Sequence, residues 1–260
     1  MVATVLSASI TSCVWSLGLL GTITAEGPPA TRWYGAIITK PMSEPFGMYT
    51  FEQQFDLMLP ANAVRIDLNY WAWRRDPTDN TLGLPYKQFL DKIADWCYAR
   101  GISVIWSAHI FTRSSRNWGP EAKGTFLLTG ELNTPNADNI SEDWTGAKET
   151  SYTLSWADYI QWLTEIVKRP KLRLVMAALD IFNEPPWIEN SNKRQIAENR
   201  YLDFMRQAID AVRAIAPNLP IVAEGIPDWH PGFFLAPGKS LNRINVIYAL
   251  HYYAWCRDPS

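Results

Sequence analysis

Residues 172–185 read LRLVMAALDIFNEP, and this stretch decides the fold. The apolar run from Leu172 to Phe182 predicts a buried strand, closed by Asn183-Glu184-Pro185. Near-continuous hydrophobicity marks a strand covered on both faces, as in a parallel sheet flanked by helices. A carboxyl group at the last residue of such a strand, held by the proline behind it, stands where a general acid is needed.

Working outward, strand-like runs alternate with helical patterns from Pro29 onward. Trp33 to Thr39, Ala63 to Leu68 and Ile102 to Ala108 predict the first three strands, and Leu172 to Phe182 the fourth. Ile221 to Ala223 and Asn245 to Leu250 predict the fifth and sixth. Thr50 with Gln53 has capping-box spacing before a short helix ended by Pro60. Tyr86, Phe89, Leu90, Ile93, Trp96 and Cys97 recur at helical period, with Gly101 as the stop. Trp156 to Val167 predicts a helix stopped by Pro170, and Ile196 to Ile215 a longer amphipathic one. Residues 110–150 form a long polar stretch of the kind that is usually functional or mobile.

Alternating strands and helices argue for an α/β fold with a parallel sheet. No glycine-rich phosphate turn follows the first strand, which disfavours a dinucleotide fold. Polar residues gather at strand ends, which favours a (β/α)8 TIM-barrel type. About six of its eight strands are legible, so the barrel reads as incomplete. The expected division is a leader or anchor over residues 1–30 and a partial barrel domain over 31–260.

Composition is that of a folded chain. Of 260 residues, 47% are hydrophobic and 19% charged, with a net charge of −2. That balance points to neither nucleic acid nor anionic lipid as a partner. Thirteen tryptophans serve either as core filling or as flat platforms for sugar rings. Cys13, Cys97 and Cys256 show no disulfide framework and no metal pairing. Cys97 falls in a predicted helix and reads as a small buried hydrophobe. No charged side chain occurs from Val2 to Ala25. The segment reads as a secretory leader or membrane anchor, though it lacks a basic start and is rich in Ser and Thr. The expected location is therefore secreted or membrane-anchored, with membrane contact only through residues 1–25.

The chemistry rests on position. Arg65 lies within the second strand, and His109 ends the third. Asn183 and Glu184 end the fourth, while His251 and Tyr253 follow the sixth. In a parallel barrel these groups converge on one mouth. A zinc site built on His109, His251 and a carboxylate is the rival use. No HExxH or short His-x-His spacing supports it, and strands three and six lie nearly opposite each other. No metal and no cofactor are expected.

This pattern resembles glycoside hydrolase family 5, the cellulase family of (β/α)8 retaining glycosidases. Arg65, His109, Asn183, Glu184, His251 and Tyr253 fit six of its eight key positions, in order, and the resemblance covers roughly residues 31–256. It implies a retaining β-glycanase, most simply an endo-β-1,4-glucanase, acting on β-linked polysaccharide or oligosaccharide. Glu184 is then the acid/base, and Asn183 holds the sugar 2-OH. His251 tunes Glu184, Arg65 and Tyr253 face the nucleophile, and His109 lines the sugar subsite nearest the bond broken. Trp71, Trp73, Trp118, Trp144, Trp187 and Trp229 are expected in loops on the active side, placed to stack sugars.

Two departures stand out. Ser107 occupies a position that often carries an acid in this family. The family's nucleophile Glu on strand seven and Trp on strand eight have no counterpart before Ser260. Glu224 and Asp228 lie nearby, but neither holds the nucleophile position. The expectation is therefore a barrel truncated before strand seven, with no nucleophile in this chain. Such a chain is expected to be inactive alone, with exposed sheet edges that make it poorly soluble or oligomeric. The competing expectations are a non-catalytic carbohydrate-binding barrel fragment, or a β-mannanase or β-glucosidase of the same family.

Overall fold

The segment Ala63–Asn69 alternates apolar and polar residues, with Val64, Ile66 and Leu68 in one phase and Arg65, Asp67 and Asn69 in the other. In a strand these phases point to opposite faces. A computed structural model describes residues 35–38, 51–57, 61–78, 82–109, 126–134, 141–142, 148–149, 152–185, 191–226 and 232–249. There the first phase packs under the helices and the second turns inward.

Six strands form the central sheet: β1 (Gly35–Ile38), β2 (Ala63–Asn69), β3 (Ser103–His109), β8 (Met176–Asp180), β9 (Ile221–Glu224) and β10 (Val246–Ala249). Every pairing is parallel and the order follows the chain, β1-β2-β3-β8-β9-β10. A doubly wound sheet reverses its order at a switch point. This one does not, and it has the arrangement of a (β/α)8 barrel over six strands. Among the described residues it is open between β1 and β10.

Between these strands lie α1 (Phe51–Leu57), α2 (Tyr70–Arg75), α3 (Tyr86–Ala99), α4 (Trp156–Lys168), α5 (Pro170–Val175), α6 (Ser191–Arg213) and α7 (Gly232–Leu235). Helix α3 buries the periodic face expected of it. It ends where Gly101 takes φ 65°. There Ile102 N–H reaches the Cys97 carbonyl (2.9 Å) and Gly101 N–H the Tyr98 carbonyl (3.2 Å), the paired bonds of a Schellman stop. Helix α4 starts in a capping box. Ser155 Oγ accepts from the Asp158 N–H at 3.1 Å, and the Asp158 carboxylate accepts from the Ser155 N–H at 3.0 Å.

Three expectations change. Pro170 does end the α4 pattern, but it also opens α5 from the first-turn position that proline tolerates. The predicted strand Leu172 to Phe182 is therefore shorter. Its first third is α5 and the strand is Met176–Asp180. Asn183 and Glu184 accordingly sit in the bend just past the strand. Helix α2 was not foreseen: β2 runs directly into it, because Asn69 accepts from the N–H groups of Trp71 (2.8 Å) and Ala72 (3.0 Å). Within residues 110–150, residues 126–129 form one helical turn. Beyond that turn lie β4 (Glu131–Thr134), paired antiparallel with β7 (Tyr152–Ser155), and β5 (Ser141–Glu142), paired antiparallel with β6 (Lys148–Glu149).

Two layers of core follow from the alternation. The outer face of the sheet packs Val64, Ile66, Leu68, Val104, Trp106 and Leu179 against the helices. The inner face carries a smaller apolar set: Ile105, Ala178, Val222, Ile247 and Ala249. Cys97 is buried and free. Cys13 and Cys256 lie outside the described residues.

Candidate active site

One step of two residues beyond the inner apolar set, the same strands turn polar. Ile105 gives way to Ser107, Ala178 to Asp180 and Val222 to Glu224. Register places them side by side, with Asp67 opposite Ser107 and Ser107 opposite Asp180. The polar layer thus crowns the strand C-termini, where a barrel carries its site. Two helix tyrosines brace it from behind. Tyr159 Oη lies 2.9 Å from the Ile181 carbonyl and 3.2 Å from that of Ala108, and Tyr201 donates to the Glu224 carbonyl at 2.6 Å. Burial pushes both phenols well above their usual range, with Asp180 adding to the rise at Tyr159 and Glu224 foremost among the charges at Tyr201.

Arg65 holds the layer together from β2. Its Nη2 reaches Ser107 Oγ at 2.8 Å and Glu224 Oε1 at 3.1 Å, and also bonds the Asp180 carboxylate and the Asn183 amide oxygen. Burial opposes the guanidinium charge. Asp180 foremost, then Glu224, Asp67 and Glu184, more than offset that and raise its proton affinity above the ordinary arginine value.

This arrangement fixes the orientation of Asn183. A guanidinium only donates, so the Asn183 atom facing it is the oxygen. The amide nitrogen then faces His109 Nδ1 at 3.1 Å, and that ring nitrogen accepts. In the neutral ring the proton is therefore on Nε2, an assignment made from the network. Nε2 lies 3.1 Å from Ser107 Oγ, with Asp67 Oδ1 3.0 Å away on another side. Ser107 passes its own hydrogen to Asp180 Oδ2 at 2.9 Å. The serine hydroxyl thus donates to Asp180 and presents its lone pairs to the Arg65 and His109 donors.

Glu184 follows Asn183 with φ 49°. A non-glycine residue in this left-handed region carries a strain of roughly 1–2 kcal/mol. Its N–H donates to Glu224 Oε2 at 2.7 Å, a short charge-assisted bond that offsets the strain. Unlike its neighbours Asn183 and Pro185, Glu184 is only partly buried. Glu224 is 0% exposed. One of its oxygens faces Arg65 and the other accepts from a backbone N–H.

Of the residues expected at the mouth, the structure brings together Arg65, His109, Asn183 and Glu184. His251 and Tyr253 lie outside the described residues, as do Asp228, Trp118, Trp144, Trp187 and Trp229. Trp71 and Trp73 are a correction. They belong to α2 rather than a loop, and at 5% and 3% exposure they are core. Trp73 Nε1 donates to Glu165 at 2.9 Å. Asp67 and Asp180 were missed, although both stand in the inward phase of their strands, two residues from Arg65 and from Ala178. Among the described residues, no group of three or more His, Cys, Asp or Glu is arranged to hold a metal ion. Among them, too, no helix is long and apolar enough to cross a membrane.

No family model and no curated protein matches the chain. Solved structures similar to it include the catalytic domain of the major endoglucanase from Xanthomonas campestris pv. campestris. That domain is 24% identical, over 68% of this chain and 44% of its own, with a TM-score of 0.42. A hyperthermophilic endocellulase from the archaeon Pyrococcus horikoshii is 17% identical, over 67% of this chain and 44% of its own, at 0.43. A further glycoside hydrolase is 16% identical, over 73% and 51% respectively, at 0.42. The chain therefore spans about half, or less, of the length of these structures.

Proposed function

We propose that the whole protein is a retaining β-glycanase of the glycoside hydrolase family 5 type, cleaving β-1,4-glucan internally. Glu184 protonates the departing glycosidic oxygen and then activates water. The Asn183 amide binds the 2-OH of the sugar, a contact that strengthens in the oxocarbenium-like transition state. The observation that carries this reading is the Asn183–Glu184 pair at the strand ends, with the Asn183 amide oriented between Arg65 and His109. In this reading Arg65 and His109 act on substrate largely through Asn183. His251 and Tyr253 complete the sugar subsite around Glu184.

A retaining mechanism needs a second carboxylate about 5–5.5 Å from the first. Glu224 is too enclosed to serve, and we assign that role to a carboxylate outside these 260 residues, on a strand pairing with β10. The residues present are then inactive or nearly so by themselves. We further propose that the protein is secreted or membrane-anchored through residues 1–25, a reading supported by the absence of charge from Val2 to Ala25.

The test is hydrolysis by the whole protein across carboxymethylcellulose, mannan, xyloglucan and aryl β-glucosides. The expected outcome is cleavage of the cellulose derivative with retained anomeric configuration. Glu184→Gln is expected to lower kcat by about 10²-fold or more, the usual contribution of a positioned general acid. Undiminished turnover by Glu184→Gln would refute the assignment. Tight oligosaccharide binding with no cleavage of any substrate would instead favour a carbohydrate-binding barrel.

A further inference from the structure

Glu224 makes two contacts from one buried carboxylate. Oε1 faces Arg65 at 3.1 Å, and Oε2 accepts the Glu184 N–H at 2.7 Å. Its own backbone carbonyl is held by Tyr201 Oη at 2.6 Å. The residue is thus fixed at both ends, on the strand beside the one that carries the candidate acid. The backbone it holds is the left-handed residue Glu184, φ 49°. In that conformation the chain turns sharply after Asn183, and the direction of the Glu184 side chain depends on the turn being kept.

We infer that Glu224 is a positioning residue for Glu184. It clamps the left-handed backbone so that the carboxyl stays aimed at the bond to be broken, and through Arg65 it ties that clamp to Asn183. The inference rests on the glycosidase reading for its kinetic consequence, whereas the clamp itself does not depend on it. Glu224 does not touch substrate. Its effect falls on the two proton transfers assigned to Glu184, delivery to the leaving group and removal from water, because proton transfer falls off steeply with misplacement of the group.

The clamp requires an acceptor at both ends of the side chain. Glu224→Gln keeps the shape but has only one acceptor oxygen. The guanidinium, as the charged donor, takes that oxygen, and the amide NH2 is left facing the Glu184 N–H, donor against donor. The substitution therefore tests the clamp with little change in volume.

Two measurements decide it, both on the whole protein. The first needs no substrate: amide hydrogen exchange at Glu184. Glu224→Gln is expected to accelerate it by about tenfold or more while exchange in α3 and α4 stays as in wild type. The second compares two substrates. On β-glucan, whose leaving group requires a proton, kcat is expected to fall by about tenfold to a hundredfold with KM within about twofold. On a dinitrophenyl β-glycoside, whose leaving group departs without one, kcat/KM, which reports only the bond-breaking step, is expected to stay within about twofold.

Unchanged exchange at Glu184 overturns the inference. So does an equal loss of kcat/KM on both substrates, which marks general damage to the site. If wild type cleaves no β-linked glycoside, the glycosidase reading fails and the exchange measurement still decides the clamp. If Glu224→Gln does not fold, Glu224→Asp takes its place. It keeps the charge but is one methylene too short to span both contacts, and it is expected to give the same pattern.

Discussion

Replacing Arg65 with methionine removes the guanidinium at the centre of the buried polar layer and leaves its carboxylates in place. The Arg65 side chain is 5% exposed, and those of Asp180 and Glu224 are 0%. At the 3.1 Å separation of Arg65 and Glu224, the gross Coulomb attraction is about 5 kcal/mol at an effective dielectric of about 20. Most of that repays the cost of taking both charges out of water. Removing one partner forfeits the attraction and keeps the other partner's cost, which typically destabilises by about 3–5 kcal/mol. Against the roughly 5–15 kcal/mol stability of a typical domain, that is a large fraction.

The assay is urea unfolding followed by the fluorescence of buried tryptophans such as Trp106 and Trp162. Arg65→Met is expected to lower the unfolding free energy by about 3–5 kcal/mol with the denaturant slope unchanged. Asp180→Asn alone leaves Arg65 its pairing with Glu224 and is expected to cost less. The double variant is expected to fall short of the sum by at least about 1 kcal/mol, the signature of direct coupling. A loss below about 1 kcal/mol for Arg65→Met, or additivity within about 0.5 kcal/mol, would refute the claim that this arginine organises the layer.

Three further outcomes follow from other parts of the structure. Ser155→Ala is expected to cost about 1 kcal/mol by thermal melting through loss of the α4 cap. The Ser155 hydroxyl, then its N–H, hold the Asp158 carboxyl below its ordinary value of 3.8, against an opposing effect of burial. That part of the cap's stability is present above pH 4 and is lost as pH falls through the lowered folded value, so the deficit of Ser155→Ala is expected to shrink in acid. A deficit constant from pH 7 to pH 3 would count against the carboxylate's part. Burial pushes the Cys97 thiol up to about 12, with Arg100 opposing. Cys97 is expected to resist thiol reagents at pH 8 until urea unfolds the chain, and rapid labelling of the native protein would contradict its placement. Finally, among the described residues the outer edges of β1 and β10 are unpaired. The 260-residue chain made alone is expected to elute as oligomers on size exclusion, whereas a monomer with a cooperative melt would show that these edges are covered.

The residues that announced themselves in the sequence did so because their context was local. Asn183-Glu184-Pro185 ends an apolar run, His109 ends another, and Arg65 is a charge inside a third. The strands of the sheet were legible for the same reason. The misreadings came where local pattern was ambiguous. The run from Leu172 reads as one strand, because a short apolar helix and a buried strand have the same composition. Trp71 and Trp73 were placed in a loop because the cap that starts α2, Asn69, is also the last residue of β2.

The sequence by itself determined the alternation of strands and helices, the barrel type, and the placement of Arg65 within a strand and of His109, Asn183 and Glu184 at or just past strand ends. Those properties depend on period and on neighbours along the chain. Only the tertiary structure decided which atoms meet. That Asn183 turns its oxygen to Arg65 and its nitrogen to His109, that Ser107 joins His109 to Asp180, and that Glu224 holds the backbone of Glu184 are all facts of register between parallel strands. Each pairs groups distant in sequence, 159 residues apart for Arg65 and Glu224. Helices brought in from elsewhere then supply the burial that makes those contacts strong.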